Sequence, residues 1–327
     1  MSQNGGSGGI ESTNGDPGGD IELRLRALRV HPIKSCAGIE VDASVVIETG
    51  LEFDRAWMVV DAQGRFVSQR RLPRMALVRC AFRHSELVLR APGMLALHLA
   101  LDAAQEPVRV TVWNDTVAAF DMGDLCAQWF SDFLGGPPSG RPQADTPPRG
   151  ADAAGVLGVS FPLRVARFDP AQRRLADPAW TAAIEAEYAF ADAFPLLVIG
   201  SASLDELNRR LQARGAAPVG MERFRPNLVL DGLAPHAEDH LDEIAFETDA
   251  GPVRLRLVKP CGRCSIPDVD PATGEPGSAV GAVLAEYRAD PRIDGQSSFG
   301  MNAVILEGID RVLRAGMAGR ATYAFAA

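Results

Sequence analysis

The chain has 327 residues, and 33 Lys and Arg against 42 Asp and Glu leave a net charge of −9 at neutral pH. This excludes a basic nucleic-acid-binding module, which needs positive charge to replace the counterions of a phosphate backbone. With 46% hydrophobic residues the chain can bury a core as one large domain or two smaller ones. No apolar run approaches the roughly 20 residues that cross a bilayer, so no membrane span is expected.

Residues 1–19 contain mostly Gly, Ser, Asn and Asp and lack the basic and apolar regions of a signal peptide. We interpret them as a flexible tail. The five cysteines are an odd number in a chain that is long enough to fold without disulfides. We therefore expect a reducing, cytoplasmic location, with a metal or redox site at the close pair Cys261 and Cys264.

Residues 20–120 have the pattern of short strands. Ile21, Leu23 and Leu25 alternate with charged residues, as in a strand with one buried face. Turn signals lie at 61–64 and 114–115. Further strands are predicted at 41–48, 56–61, 65–68, 87–90 and 108–112. The stretch therefore predicts an antiparallel barrel or sandwich.

The period changes after residue 120. Leu125, Trp129 and Phe133 follow helical spacing, and Gly135-Gly136 ends the run. Residues 137–155 are rich in Pro, Gly, Ala and Asp and are interpreted as a loop.

A second helix is predicted after residue 200. Ser201 or Ser203 can cap it, Glu206 would complete a capping box with Ser203, and Gly215 ends it. Its apolar face is formed by Leu204, Leu207 and Leu211.

Strands resume at 228–230, 243–247 and 253–258, and the last two form a hairpin across 248–251. A third helix is expected near 279–288. Without regular βαβ alternation, the predicted fold class is α+β, mostly β, with peripheral helices.

A close cysteine pair follows the 253–258 strand directly. Lys259 and Arg263 flank Cys261 and Cys264, and nearby cations favour the thiolate that serves as nucleophile or metal ligand. The alternative is that both cysteines are small buried residues at a strand end.

A zinc site is a further alternative, since His236 and His240 are spaced H-x3-H upstream of the cysteine pair. Neither a dinucleotide-binding glycine motif nor a phosphate-binding P-loop is present, so nucleotide binding of those kinds is not expected.

Three other segments offer groups for an anion. The turn at 31–38 contains Lys34 and Ser35, and the loop at 224–227 contains Arg and Asn. A third segment, 70–74, is an arginine cluster. A solvated turn and a surface salt-bridge network remain the alternative interpretations of these segments.

Six motifs occur in order along the chain: His31–Gly38, Gly50-Leu51 with Asp54–Trp57, Gln69-Arg70 with Pro73-Arg74, Phe224–Asn227, Cys261–Cys264 through Gly274, and Phe299–Asn302. Together they resemble the family of proteins that have an N-terminal MOSC β-barrel domain followed by a MOSC domain, such as the mitochondrial amidoxime-reducing component and bacterial YcbX-like proteins. The resemblance covers about residues 21–320 and implies an N-terminal MOSC β-barrel domain at 20–120 and a MOSC domain at 121–327.

The resemblance implies a molybdenum cofactor (Mo-molybdopterin), and not pyridoxal phosphate. The family's metal ligand corresponds to Cys264, whose soft thiolate suits a thiophilic metal. Asp270 would relay protons, although a carboxylate before Pro can also cap a turn. The implied cofactor-binding residues are Lys34, Ser35, Arg55, Arg70, Asp192, Arg225, Asn227, Arg263 and Asn302. The hydroxyl side chains that the mitochondrial proteins place after Asp192 are here Ala193 and Phe194.

The implied activity is reduction of small N-hydroxylated compounds, namely amidoximes, hydroxylamines or N-hydroxylated bases, at a Cys-ligated Mo. The sequence contains no haem motif, no Rossmann fingerprint and no ferredoxin cysteine set, so a separate electron donor is expected: a ferredoxin, a flavin reductase or a cytochrome b5-like protein. Two alternatives remain open, a persulfide carrier for metal–sulfur cofactor assembly and a zinc-stapled β protein.

Overall fold

The computed structural model describes residues 21–103, 105–135 and 158–324, which form a mostly β fold with few helices. The fold class expected from the sequence is confirmed. The predicted tail and the predicted loop at 137–155 lie outside the described residues. The strands, in chain order, are β1 Ile21–Val30, β2 Ile39–Val41, β3 Ala43–Ile47, β4 Gly50–Leu51, β5 Trp57–Val60, β6 Arg79–Arg83, β7 Glu86–Arg90, β8 Leu97–Ala100, β9 Pro107–Val112, β10 Asp115–Asp121, β11 Arg164–Phe168, β12 Leu196–Gly200, β13 Leu228–Asp231, β14 Leu241–Thr248, β15 Gly251–Gly262, β16 Ala289–Asp290, β17 Gln296–Glu307, β18 Val312–Arg314 and β19 Ala318–Tyr323.

A closed barrel of seven strands organises the molecule. Its strand order is β12-β13-β1-β19-β14-β15-β17, and pairing of β12 with β17 closes it. All seven strands contribute buried side chains to one apolar cluster, which includes Leu25, Val198, Leu230 and Phe246. Burial alternates along β1 as the sequence pattern predicts, because successive side chains point to opposite faces of a strand.

Three smaller sheets complete the β structure. Strands β5, β11, β10 and β9 form one, β6, β7 and β8 a second, and β18, β3 and β4 a third. Strands from the segment 20–120 pair with strands from the rest of the chain, since β1 pairs with β19 in the barrel and β5 pairs with β11 in a smaller sheet. Trp57, Phe130 and Phe133 pack in a second core beneath these sheets.

Helices cover the outside of the sheets. They are α1 Asp124–Gly135, α2 Pro178–Thr181, α3 Ser201–Ala213 and α4 Ala279–Tyr287, with short 3₁₀ turns at Pro73–Leu77, Met221–Arg223, Ala237–His240, Ile266–Asp268 and Pro291–Ile293. In the part of the chain that the structure describes, no helix combines the length and the apolar character needed to cross a membrane.

Most predicted elements are confirmed, including the hairpin between β14 and β15. The strand predicted at 65–68 is wrong, because that segment makes only isolated bridges. In α1, Leu125 is 72% exposed, and Cys126 and Phe130 fill the buried face instead.

The capping box predicted for the second helix is also wrong. The N-cap of α3 is Gly200, and Ser203 lies inside the helix, where its hydroxyl donates to the buried Glu238 at 2.7 Å. Glu206 pairs with Arg209 and Arg210 instead of the helix N-terminus.

Candidate active site

A large cleft lies where the barrel meets the sheet that contains β5 and β9. Its volume is about 960 Å³, within the range of about 300–1,000 Å³ that is usual for small-molecule sites. The walls come from the loops after β1 and β4, the tip of the β9–β10 hairpin, α2, and the loops before β13 and after β15.

The cleft reverses the charge of the whole chain. Nine Lys or Arg side chains line it against four Asp side chains, whereas the chain as a whole has a net charge of −9. The two lysines of the sequence, Lys34 and Lys259, both lie in this lining. A local excess of positive charge in a concave site attracts an anionic ligand.

Lys34 lies at the base of the cleft, where its Nζ donates to the carbonyl of Phe190 at 2.7 Å and to Oδ1 of Asp192 at 2.5 Å. Burial lowers the pKa of Lys34, and the charge of Asp192 opposes that change. Partial desolvation at the cleft opposes ionisation of Asp192, whose side chain is 70% exposed, but Lys34 outweighs this and holds the pKa of Asp192 well below its usual range. Each group therefore supports the charged form of the other.

A chain of polar contacts links Asp54, Arg55, Asn227 and Arg225. Arg55 donates to Asp54, to Oδ1 of Asn227 at 3.1 Å and to the carbonyl of Arg225 at 3.0 Å. Arg225 in turn donates to the carbonyl of Cys36. Burial lowers the pKa of Arg225 to about 10, with a further contribution from the charge of Arg55, so its guanidinium remains protonated at neutral pH. The arrangement holds two guanidinium groups side by side at the cleft.

The backbone of these segments is held in an uncommon conformation. Ser35, Arg55 and Arg225 have φ values of 70°, 49° and 58°, in the left-handed region that residues other than Gly rarely adopt. Such conformations cost about 1–3 kcal/mol each and concentrate at functional sites. All three residues line the cleft.

The cysteine pair lies at the end of β15 and also lines the cleft. Cys264 is exposed, while Cys261 is half-buried against the cluster that contains Phe224 and Phe299. The guanidinium of Arg263 is held by the backbone, since it donates to the carbonyls of Phe299 and Phe224 at 3.0 and 3.1 Å.

At Cys261 the effect of burial outweighs that of the flanking cation. Burial raises the pKa of this thiol, and the charge of Arg263 offsets only part of the effect. Cys261 therefore has the character of a packed neutral thiol.

The structure brings together ten of the eleven residues that the sequence singled out. The residues that line the cleft are Lys34, Ser35, Arg55, Arg70, Asp192, Arg225, Asn227, Arg263, Cys264 and Asn302. Among them Asn227 and Asn302 hold the backbone, because Asn227 bonds Leu197 and Arg29, and Asn302 donates to the carbonyl of Lys259.

Asp270, the eleventh residue, does not line the cleft. Its Oδ1 accepts from the backbone N–H of Ala272 at 2.7 Å, and its Oδ2 pairs with Arg223 at 3.2 Å. This is the turn-capping arrangement that the residue before a proline can also adopt.

The proposed zinc ligands are not gathered. His236 packs its ring against Tyr287 and Phe299, and His240 is exposed. The described ranges contain no cluster of three or more His, Cys, Asp or Glu side chains that could hold a metal ion.

Sequence reasoning missed several residues of the lining. Trp113 reaches the cleft from the β9–β10 turn and donates its Nε1 to Asp192 at 3.2 Å. Arg174 is buried beside it and bonds Asp115 and the carbonyl of Ala191. No motif marks either position, since Trp113 lies in the β9–β10 turn and Arg174 in the segment between β11 and α2.

The sequence matches the profiles of two protein families. The profile described as the MOSC N-terminal beta barrel domain matches residues 22–137, and that of the MOSC domain matches residues 185–318. The chain belongs to the MOSC family. Most residues that line the cleft fall within these two matched ranges, whereas Arg174, Asp177 and Trp180 lie between them.

Curated relatives of this MOSC protein point to molybdenum-cofactor-related function. Mitochondrial amidoxime reducing component 2 of Bos taurus is 31% identical over 255 residues, which are 76% of this chain and 66% of the bovine protein. Mitochondrial amidoxime-reducing component 1 of Danio rerio is 30% identical over 76% of this chain and 69% of its own length. Molybdenum cofactor sulfurase of Homo sapiens is 29% identical over 80% of this chain but only 28% of its own length.

The donor set of the cleft fits a molybdenum cofactor. The group needs cations and N–H donors for its phosphate and a soft ligand for its metal. Lys34, Arg55 and Arg225 supply the first requirement and the exposed thiol of Cys264 supplies the second, within one cleft. The volume of about 960 Å³ leaves space for a substrate as well.

Proposed function

We propose that this protein is a molybdenum-cofactor-dependent reductase of small N-hydroxylated compounds such as amidoximes, hydroxylamines and N-hydroxylated bases. The observation that carries the proposal is the exposed Cys264 thiol in a cleft lined by nine Lys and Arg side chains. Relatives named for amidoxime reduction support this class of substrate.

The residues of the chain would divide the work of binding. Lys34, Ser35, Arg55 and Arg225 would hold the cofactor's phosphate, and Cys264 would ligate the metal. When bound, the cofactor would supply the two-electron reduction that, with two protons, converts an N–OH group to N–H and water.

Other side chains fix the geometry of this set. Asn227 orients Arg55, and Asn302 fixes the backbone beside Lys259. Arg70, Asp192 and Arg263 would complete the contacts with the cofactor. The guanidinium carbon of Arg70 lies 4.7 Å from the centroid of the Trp113 ring, and both side chains line the cleft.

Electrons would come from a separate donor protein, a ferredoxin, a flavin reductase or a cytochrome b5-like protein. We keep a cytoplasmic location as part of the proposal, because the five cysteines are free thiols in the described residues.

The test uses protein purified from a host that makes molybdenum cofactor. Reduced methyl viologen replaces the natural donor, benzamidoxime is the substrate, and benzamidine is quantified. We expect turnover by the unaltered protein and by Cys261→Ser but none by Cys264→Ser. Equal turnover by unaltered protein and Cys264→Ser, or no turnover by cofactor-loaded protein, would overturn the proposal.

A persulfide carrier is the second candidate, favoured by the exposure of Cys264 and the similarity to a molybdenum cofactor sulfurase. It predicts protein without stoichiometric Mo that accepts one sulfur atom on Cys264. Intact-protein mass spectrometry after incubation with a cysteine desulfurase and cysteine distinguishes the two functions.

A further inference from the structure

One cation of the cleft differs from most of the others in its surroundings. Seven basic side chains already donate to protein acceptors. Lys259 has no hydrogen-bond acceptor or carboxylate partner among residues 21–103, 105–135 and 158–324, and its Nζ lies 4.7 Å from the centroid of the Trp180 ring. A Lys ammonium has three N–H donors, so those of Lys259 are available to a ligand.

The fold holds this Lys–Trp pair in place from both sides. The register of β15 against β17 shifts between Leu257 and Lys259 and again between Pro260 and Gly262. Bulges of this kind re-aim side chains next to functional sites. The carbonyl of Lys259 also accepts from Asn302 at 3.2 Å.

Trp180 approaches from α2, whose N-terminus is capped by Asp177 through a 2.9 Å bond to Ala179. The indole packs at the edge of the cluster that contains Tyr188 and Phe194. Its face is therefore fixed beneath the ammonium. A cation–π contact stabilises the charge without consuming the N–H donors.

The same segment carries the thiol of Cys264, five residues further along the chain, and both residues line the cleft. A ligand whose reacting group lies at Cys264 can therefore extend toward Lys259 and Trp180. The aromatic face suits a planar portion of such a ligand, and the ammonium suits an anionic substituent.

We propose that Lys259 and Trp180 form a substrate subsite for a carboxylate or phosphate group, so that Lys259 selects N-hydroxylated substrates that carry negative charge. The inference rests on the proposed function and specifies its substrate class. Lys259 acts on substrate binding and not on the cofactor. Arg70 stacks on Trp113 in a similar way but belongs to the predicted cofactor set.

The experiment compares benzamidoxime with its 4-carboxylate, using the holoenzyme and reduced methyl viologen. The variants are Lys259→Met, which keeps the stem and removes the charge, and Lys259→Arg, which restores it. Arg26→Met is the matched control, because it removes one charge from an exposed side chain outside the cleft.

We expect Lys259→Met to lower kcat/KM for the carboxylate by about tenfold or more, mainly through KM, since a tenfold change corresponds to about 1.4 kcal/mol of binding. Benzamidoxime should be reduced as before, and Lys259→Arg should recover most of the loss. Equal effects on the two substrates, or an equal loss in Arg26→Met, would overturn the subsite.

A second readout does not depend on turnover. Calorimetry measures binding of the products 4-amidinobenzoate and benzamidine to the holoprotein, and molybdenum content is measured in parallel. Weaker binding of the carboxylate alone in Lys259→Met, at unchanged Mo content, supports the subsite even if the viologen assay fails and the proposed function with it. Loss of Mo in Lys259→Met would instead assign this lysine to the cofactor and reject the proposal.

Discussion

The side-chain oxygen of Asn227 accepts a hydrogen bond from Nη1 of Arg55 at 3.1 Å, and so joins the loop after β4 to the start of β13. The same oxygen accepts from the backbone N–H of Leu197 at 3.1 Å, and Nδ2 donates to the carbonyl of Arg29 at 3.2 Å. Asn227 therefore connects both neighbours of its own strand, β12 and β1, while it orients a cation of the cleft.

Asn227→Ala should lower both stability and cofactor content. The substitution leaves buried polar groups of Leu197 and Arg29 without a partner, which predicts a loss of about 3 kcal/mol in the free energy of unfolding. Urea titration measures that loss, and elemental analysis measures retained Mo.

Asn208→Ala is the matched control for this experiment. Asn208 bonds the backbone of Val219 through both side-chain atoms but does not line the cleft. Its variant should lose stability and keep its metal. If the two variants retain Mo equally, the orienting role of Asn227 is wrong.

Asp54 should make the protein sensitive to acid. Burial favours the neutral acid, but the adjacent Arg55 outweighs it and holds the pKa of Asp54 well below its usual range. Below about pH 4 the unfolded chain takes up a proton at this site that the native protein does not, so the free energy of unfolding falls as the pH falls.

The test is a series of denaturant titrations below neutral pH. The unaltered protein should lose stability steeply below about pH 4, and Asp54→Asn, already less stable at neutral pH, should have a smaller slope. A slope that is unchanged in Asp54→Asn would assign the acid sensitivity to other carboxylates.

Asp270→Asn distinguishes a turn residue from a proton relay. Because the carboxylate caps a turn and pairs with Arg223, we expect a small loss of stability and an unchanged pH profile of kcat. The measurement is the pH dependence of single-turnover benzamidoxime reduction. A pH profile that is displaced in Asp270→Asn would instead support Asp270 as a proton relay.

Ser203→Ala and Glu206→Ala test the corrected start of α3. Ser203 donates to the buried carboxylate of Glu238, so its removal should cost about 1–3 kcal/mol by leaving that group short of a donor. Glu206 makes pairs on the helix surface, and its variant should change stability little. Thermal unfolding measures the stability of both variants. Similar losses of stability in the two would support the predicted capping box instead.

Local patterns in the sequence predicted local structure well. The alternation along β1 and the turn between β14 and β15 depend on neighbouring residues, and both occur where expected. Ser203 and Glu206 show the limit of such reasoning. Their spacing suits a capping box, but Glu238, which comes 35 residues after Ser203, supplies the stronger partner.

The candidate site could be predicted only as far as its motifs extend. Lys34, Arg225 and Cys264 lie in recognisable segments, whereas Trp113, Arg174 and Trp180 reach the cleft through contacts between distant elements. Burial also decides properties that spacing does not, as the raised pKa of Cys261 beside Arg263 demonstrates.

The central claim is that Cys264 ligates molybdenum in the basic cleft. The most direct test is elemental analysis by mass spectrometry of the protein from a host that makes molybdenum cofactor, with Cys261→Ser as the matched control for Cys264→Ser. The account predicts near-stoichiometric Mo in the unaltered protein and in Cys261→Ser, and its loss in Cys264→Ser. Molybdenum retained in Cys264→Ser, or absent from the unaltered protein, would contradict it.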